Sequence, residues 1–462
     1  MTPVIQLIKK RVIPEQLGDA PIQFQVYTEH QLDKIEALKQ LSEQQRFEMK
    51  VVAKVLPFRV NQYVIDELID WNNIPADPIF QLTFPQKGML AKGDFEQMAE
   101  VLRSNADRSL IQKTANDIRN RLNPHPAGQQ LLNVPQVEDQ PLDGIQHKYR
   151  ETVLFFPSQG QVCHSFCSFC FRWAQFIGDK TMRISAREAE QLHRYLQANK
   201  DISDLLITGG DPMVMKTSHL AAYLTPLLQP EFQHIQTIRI GTKSLSFWPH
   251  RYVHDADSNE LLVLLKKLVQ AGKHIAIMAH YNHWKELTTP IARVAIQRLR
   301  ATGVVIRTQS PLLNHINNDA DVWAKMWREQ VRLGLSPYYM FVERDTGACR
   351  YFEVPLARAW KVYREAIQQV SGLGRTARGP SMSAGPGKVE IQGIAEINSE
   401  KVFVLRFIQA RNPNWVQQPF FAAFDAEATW LDQLKPAFGE EKFFFQDEYD
   451  AMCMKQAGST VY

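Results

Sequence analysis

TVLFFPSQGQVCHSFCSFCFR, residues 152–172, runs from a short β-branched and aromatic stretch straight into three cysteines, Cys163, Cys167 and Cys170. The first five residues read as a buried strand. The rest crowds three of the chain's five cysteines into eight positions. A disulfide framework would leave one cysteine over, and a closed zinc site would lack its fourth ligand. His164 is next to Cys163, which makes joint ligation awkward, and Cys349 and Cys453 are isolated in sequence.

Outward from TVLFF the same texture recurs. DLLIT (204–208), TIRI (237–240), HIAIM (274–278), VVIR (304–307) and YYMFV (338–342) alternate with amphipathic stretches such as SAREAEQLHRYLQAN and NELLVLLKKLVQAG, the latter ending at Gly272. Strands alternating with helices are the signature of a parallel sheet. The fold class is therefore α/β, a full or partial (β/α)6 barrel of TIM-like type, whose chemistry is expected at the C-terminal strand ends. The cysteines follow TVLFF at such an end.

Around this core the sequence divides into a mostly helical region (1–145), the barrel (146–375), a Gly/Ser/Pro-rich loop (376–395) and a small α+β extension (396–462). HQLDKIEALKQLSEQQRFEMKVVAKVL and VIDELIDW carry helical periodicity. NPHPAGQQLLNVPQVEDQPLDG (123–144) reads as an extended connection, and RTARGPSMSAGPGKVEIQGI (375–394) as a loop entering a strand. KVFVLRFIQA and EKFFFQDEYDAM mark the extension.

The 462 residues are 45% hydrophobic and 22% charged, with a formal charge of +4 and no long basic run. That is the composition of a globular protein and gives no reason to expect nucleic acid. The N-terminus, MTPVIQLIKKRVIPEQLGDA, lacks a signal-peptide pattern. No run of about 18 apolar residues suggests a membrane span. The expected setting is the cytoplasm, where cysteines stay reduced and a cluster of them is more at home on a metal.

Three thiolates spaced four and three residues apart can curl around one metal centre inside a single loop. A [4Fe–4S] cluster is usually held by four; three leave one iron open to a small molecule. Cys-x3-Cys-x2-Cys, with Phe169 before the last cysteine, resembles the motif of radical S-adenosylmethionine (SAM) enzymes. That resemblance implies a cluster on Cys163, Cys167 and Cys170 whose open iron chelates SAM. LLITGGDP (205–212) is similar to the element that holds the SAM amino group in that superfamily, through Gly209, Gly210 and Asp211. By itself GGD is also a common turn.

LPFRVNQYVIDELIDW, DPIFQLTFP, HKYRETVLF, CFR, LLITGGDP, IRIGTKS, HYNHWKELT and PYYMF stand in the same order as their counterparts in the lysine 2,3-aminomutase family. The resemblance covers about residues 55–395. It implies a second cofactor, pyridoxal 5′-phosphate (PLP), joined to Lys388 in AGPGKVEI, because an amine–aldehyde linkage needs lysine. It also implies an isomerase: an adenosyl radical takes hydrogen from the β-carbon of the bound amino acid, and the nitrogen moves from the α- to the β-carbon. Lys148 and Tyr149 match PLP-contacting positions, while a family arginine falls on Thr152. Arg172 matches the residue that grips the substrate carboxylate, and Gln309 one near SAM. His280 and His283 match positions lining the SAM or PLP site. An electron donor such as flavodoxin or ferredoxin and a homo-oligomer also follow from the family.

The resemblance departs at the substrate. Lysine-specific members place two aspartates against the distal ammonium; here those positions carry Ser381 and Arg344, with Asp345 one residue away. A buried ammonium without carboxylates is costly, so a different α-amino acid is expected, with an acidic or neutral side chain that Arg344 meets. No cysteine cluster near the C-terminus matches the zinc ligands of some members, and no zinc is expected. The rival readings are a radical SAM enzyme acting on a lysine of a protein partner, and a non-catalytic iron–sulfur or zinc scaffold.

Overall fold

The structure, a computed structural model, describes residues 22–123, 133–137, 140–177 and 189–458. Residues 1–21, half of the 123–144 connection and the start of SAREAEQLHRYLQAN lie outside the described residues.

One eleven-stranded sheet organises the chain. Its strands lie side by side in sequence order: β1 (Ile145–Tyr149), β2 (Thr152–Phe155), β3 (Asp204–Ile207), β4 (Thr237–Thr242), β5 (His274–His280), β6 (Val305–Leu312), β7 (Ser336–Val342), β8 (Arg378–Ser383), β9 (Gly387–Ile397), β10 (Glu400–Ala410) and β11 (Pro419–Ala423). β2 to β8 are mutually parallel. β1 and β9 to β11 are antiparallel to their neighbours. All six apolar runs read from the sequence form parallel strands, and β8 adds a seventh inside the segment expected as loop.

Each step between parallel strands is crossed by a helix: α1 (Ala189–Ala198), α2 (Thr217–Leu224), α3 (Ser258–Gln270), α4 (Pro290–Arg300), α5 (Ala320–Arg332) and α6 (Leu356–Gln368). In α3 the buried Leu261, Leu264, Leu265 and Leu268 recur at helical spacing. It stops before Gly272, whose φ of +90° is the left-handed conformation that glycine takes without a Cβ penalty. Fully burying one such leucine stabilises the fold by about 1.5–3 kcal/mol. The central strand β5 is buried over five consecutive residues, as expected where helices cover a parallel sheet on its outer face and side chains fill the inner one.

No pairing joins the two outer strands, so among the described residues the sheet is not closed by hydrogen bonds. Lys148 Nζ on β1 nonetheless donates to Ala384 O in the turn between β8 and β9 at 2.5 Å, so the two ends of the parallel run come into contact. The segment expected as a small α+β extension shares this sheet through β9, β10 and β11. The N-terminal region is less regular than its periodicity suggests. Residues 29–40 form two tight helical turns, and the α-helix starts only at Glu43, where the Ser42 side chain accepts from Gln45 N. VIDELIDW closes one wide turn over Val64–Leu68. Among the described residues no helix is long and apolar enough to cross a membrane.

Candidate active site

The cysteine loop follows β2 and is pinned mainly by the N-terminal region. Phe166 N donates to Arg59 O at 2.8 Å and Ser168 N to Leu82 O at 2.9 Å. Asn61, fully buried, sends Nδ2 to His164 O at 3.3 Å and to Phe247 O at 2.8 Å, while its backbone N–H donates to Ser165 Oγ at 3.0 Å. Phe169 and Trp173 are buried in one apolar cluster with Phe80, Phe84 and Phe352. These contacts fix the loop that carries the thiols.

All five cysteines are free thiols. Burial raises Cys163, Cys167 and Cys170, the last to about 11. The charges of Cys167 and Cys170 add to the effect at Cys163, so the three lie close enough to influence one another. Among the described residues no three His, Cys, Asp or Glu side chains converge as a site for a single metal ion. A cluster takes each sulfur on a different iron, and a bound metal takes the thiolate whatever the free thiol prefers. His164 does not join them in any hydrogen bond; its buried Nδ1 has no partner, its ring stacks on Trp248, and burial lowers it to about 3.

The Gly209–Asp211 turn after β3 packs directly on the entry to this loop. A Cβ on Gly210 would lie 2.6 Å from Val162 N, and one on Gly209 would lie 2.6 Å from Gln161 Nε2. Asp211 N donates to Gly160 O at 3.0 Å and Val162 O at 2.9 Å. The close approach that needs glycine is therefore to the chain leading into Cys163. The Asp211 carboxylate is likewise engaged: Met213 N, Thr242 Oγ1 and Lys243 N donate to it at 2.9, 2.6 and 2.9 Å. Burial lifts its pKa to about 6 against these bonds. In this structure it ties the ends of β3 and β4 together.

Arg172 connects the loop to a cavity of about 550 Å³. Its Nη1 donates to Gly209 O at 2.9 Å, and its guanidinium lies over the Phe156 ring at 4.4 Å. The cavity wall carries six cations, Lys148, Arg172, Arg239, Arg344, Lys388 and Arg411, against the two carboxylates of Asp345 and Asp432. Such a surface takes anions. Lys388, at the start of β9, sits over the Tyr339 ring at 4.3 Å, with Nζ 3.3 Å from Gln409 Oε1. Burial lowers its pKa to about 7, helped by Arg239 and Arg378 and opposed by Asp204. An amine that sheds its proton this readily, beside other basic side chains, suits attachment of an anionic aldehyde.

Burial also lowers Lys148 well below its ordinary range, with Arg411 the first of the charges that add to it. Tyr149 lines the same cavity. Thr152 does too, and its hydroxyl donates to Asp204 Oδ2 at 3.0 Å. Asp204 in turn pairs with Arg239, whose Nε is 2.9 Å from Oδ1. Arg344 reaches the rings of Phe171 and Trp430 at 5.4 and 5.8 Å, and its buried Nε has no hydrogen-bond partner among the described residues.

Other residues singled out from the sequence fall elsewhere. Ser381 is buried on β8 with Oγ 3.5 Å from Met340 O; the cavity is lined by Ser383 instead. Gln309 on β6 pairs with His280 on β5, and neither lines the cavity. His280 stacks on Phe169 at 6.3 Å, which places it beside the cysteine loop. His283 accepts from Lys285 N at 3.3 Å and belongs to the turn it caps. Arg239, Arg411 and Trp430 escape a sequence reading because they come from three distant segments. Only IRIGTKS, which contains Arg239, gave a signal.

No family model matches the chain. An Aquifex aeolicus protein provisionally named L-lysine 2,3-aminomutase is 28% identical over 88% of this chain and 95% of its own length. L-lysine 2,3-aminomutase of Methanococcus maripaludis is 24% identical over 76% and 69%, and glutamate 2,3-aminomutase of Clostridioides difficile 28% identical over 46% and 47%. Among solved structures, Streptococcus suis SuiB bound to S-adenosylmethionine aligns with a TM-score of 0.34 and 14% identity over 60% of this chain and 58% of that one, too low to carry an argument. Over most of its length the chain is thus similar in sequence to proteins named L-lysine 2,3-aminomutase.

Proposed function

We propose that the protein is a radical SAM, PLP-dependent amino-acid 2,3-aminomutase whose substrate carries a second carboxylate. The observation that carries this reading is Arg172: one side chain lies two residues past Cys170, bonds the Gly209 turn and walls the cavity that holds Lys388. Chemistry begun at the cysteines is thereby adjacent to an amine able to hold an aldehyde.

Cys163, Cys167 and Cys170 would hold the cluster, and Lys388, Lys148 and Tyr149 would hold PLP. When bound, the cluster and SAM supply a 5′-deoxyadenosyl radical, and PLP carries the migrating nitrogen. The chain's own part is to bind and orient. Arg172 offers a planar fork to the substrate carboxylate, and Arg344, with its Nε unpartnered, offers a second to the side-chain carboxylate. Asp211 fixes the turn beside the SAM position. A partial (β/α)6 barrel, with the site at the C-terminal ends of its strands, fits these placements. The reductant would be a small electron-transfer protein of flavodoxin or ferredoxin type, and the active form a homo-oligomer.

The test is anaerobic reconstitution with iron, sulfide and PLP, followed by SAM, a reductant and either glutamate or lysine. The expected product from glutamate is its isomer 3-aminoglutarate, formed without net consumption of SAM because the abstracted hydrogen is returned. Turnover of lysine alone removes the substrate assignment, and absence of any 3-amino product removes the aminomutase reading.

A further inference from the structure

Beyond residues 343–345 lies a second cavity, of about 660 Å³. It shares Arg344, Asp345 and Trp430 with the first and is otherwise walled by residues 88–94, 121–122, 347–354 and 427–433. Its charge has the opposite sign. Asp94, Glu343, Asp345, Glu353 and Glu427 face three arginines. Asp94 is answered by Arg121 at 2.5 Å, and Glu353 accepts from Thr429 Oγ1 at 3.3 Å.

Glu343 is different. It is 7% exposed, lines only this second cavity, and its Oε1 has no hydrogen-bond partner among the described residues. Burial pushes its pKa well above the usual carboxylate range, and a buried carboxyl oxygen without a donor is costly for a fold to keep; a cation at this oxygen would favour the ionised form. The next residue mirrors it, since the Nε of Arg344 is also buried and unpartnered. An acid and a base on adjacent residues thus each keep a buried polar atom unpaired among the described residues, beside these two cavities.

We propose that the second cavity binds an organic cation, a primary amine or guanidinium, with Glu343 as its anchor and the Trp430 ring as part of its wall. A bare metal ion fits poorly, because no three ligating side chains converge among the described residues. Met89, Leu90, Leu122 and Val342 instead give the mixture of apolar wall and few polar groups that small organic ligands use. A cation on Glu343 also weakens that residue's hold on Arg344 and leaves the guanidinium to an anion in the first cavity. The two sites are then positively coupled. This coupling, unlike the site itself, rests on the proposed function.

The probe is 1,4-diaminobutane, titrated calorimetrically into the full chain, with 1,4-butanediol as its uncharged counterpart. One saturable site is expected for the diamine and none for the diol, and Glu343→Gln should weaken the diamine at least tenfold. A second readout on the unmutated chain is alkylation of Cys349, which lines the cavity; the diamine should slow it while leaving Cys453 unchanged. No saturable binding, equal binding of the diol, unchanged affinity in Glu343→Gln or unprotected Cys349 would each overturn the proposal. Loss of the aminomutase reading would appear separately, as absence of 3-amino product.

Discussion

Arg172 Nη1 donates to Gly209 O at 2.9 Å, joining the cysteine loop to the turn after β3. The guanidinium also packs on Phe156, so it arrives at the cavity already oriented. Lysine keeps the charge but lacks the fork and the flat face. Arg172→Lys should therefore lower kcat/KM on the order of 100-fold, about 2.7 kcal/mol, with PLP occupancy unchanged. Steady-state kinetics beside the PLP absorbance check this; an unimpaired variant would take Arg172 out of substrate binding.

Lys388 reacts as the neutral amine. Burial brings its pKa down to about 7, so the reactive fraction rises as pH climbs through that value. The initial rate at which the PLP-free protein captures PLP should increase about tenfold between pH 6 and pH 8 and then level off. Stopped-flow absorbance gives the profile. A rate still climbing steeply above pH 9 would mean an amine in its ordinary range.

Gly210 has no room for a side chain, since its Cβ would meet Val162 backbone atoms at 2.6–2.8 Å. Gly210→Ala must move the segment entering Cys163, at roughly 1–3 kcal/mol of overpacking, and should lower the iron bound per chain after reconstitution. Gly93 is the control, with nothing within 4 Å of its Cβ position in a helix. Gly93→Ala should stabilise by roughly 0.5–1 kcal/mol and leave iron content alone.

Asn61 reaches across the chain to His164 O and Phe247 O and caps Val64 N through Oδ1. Asn61→Ala strands those buried groups at about 1–3 kcal/mol each. Chemical denaturation should show the loss, and iron content should fall with it because the cysteine loop loses its clamp. Full iron retention would mean that the loop holds its shape by itself.

The sequence carried the parallel strands because their periodicity and spacing are local, and it carried the cysteines because one loop holds all three. Lys388 was singled out by the resemblance of AGPGKVEI to the family's lysine loop, and the structure sets it in the wall of the first cavity. β8 was hidden, since GPSMS has neither alternation nor β-branched residues, and its strand forms by pairing with β7 and β9. The family position falls on Ser381, buried beside Phe341; Ser383, two residues further along β8 and paired with Lys388, is the one that reaches the cavity. HQLDKIEALKQ carries helical periodicity, but periodicity does not reveal where a chain breaks into tight turns. The clamp at Asn61 and the walls at Arg239, Arg411 and Trp430 are products of tertiary assembly.

The most direct measurement is the position of the pyridoxyl group. Borohydride reduction of the PLP-loaded protein, followed by peptide mass mapping, should place a single adduct on Lys388 and none in Lys388→Ala. An adduct on Lys148 or any other lysine, or the same labelling after Lys388 is replaced, would contradict the account.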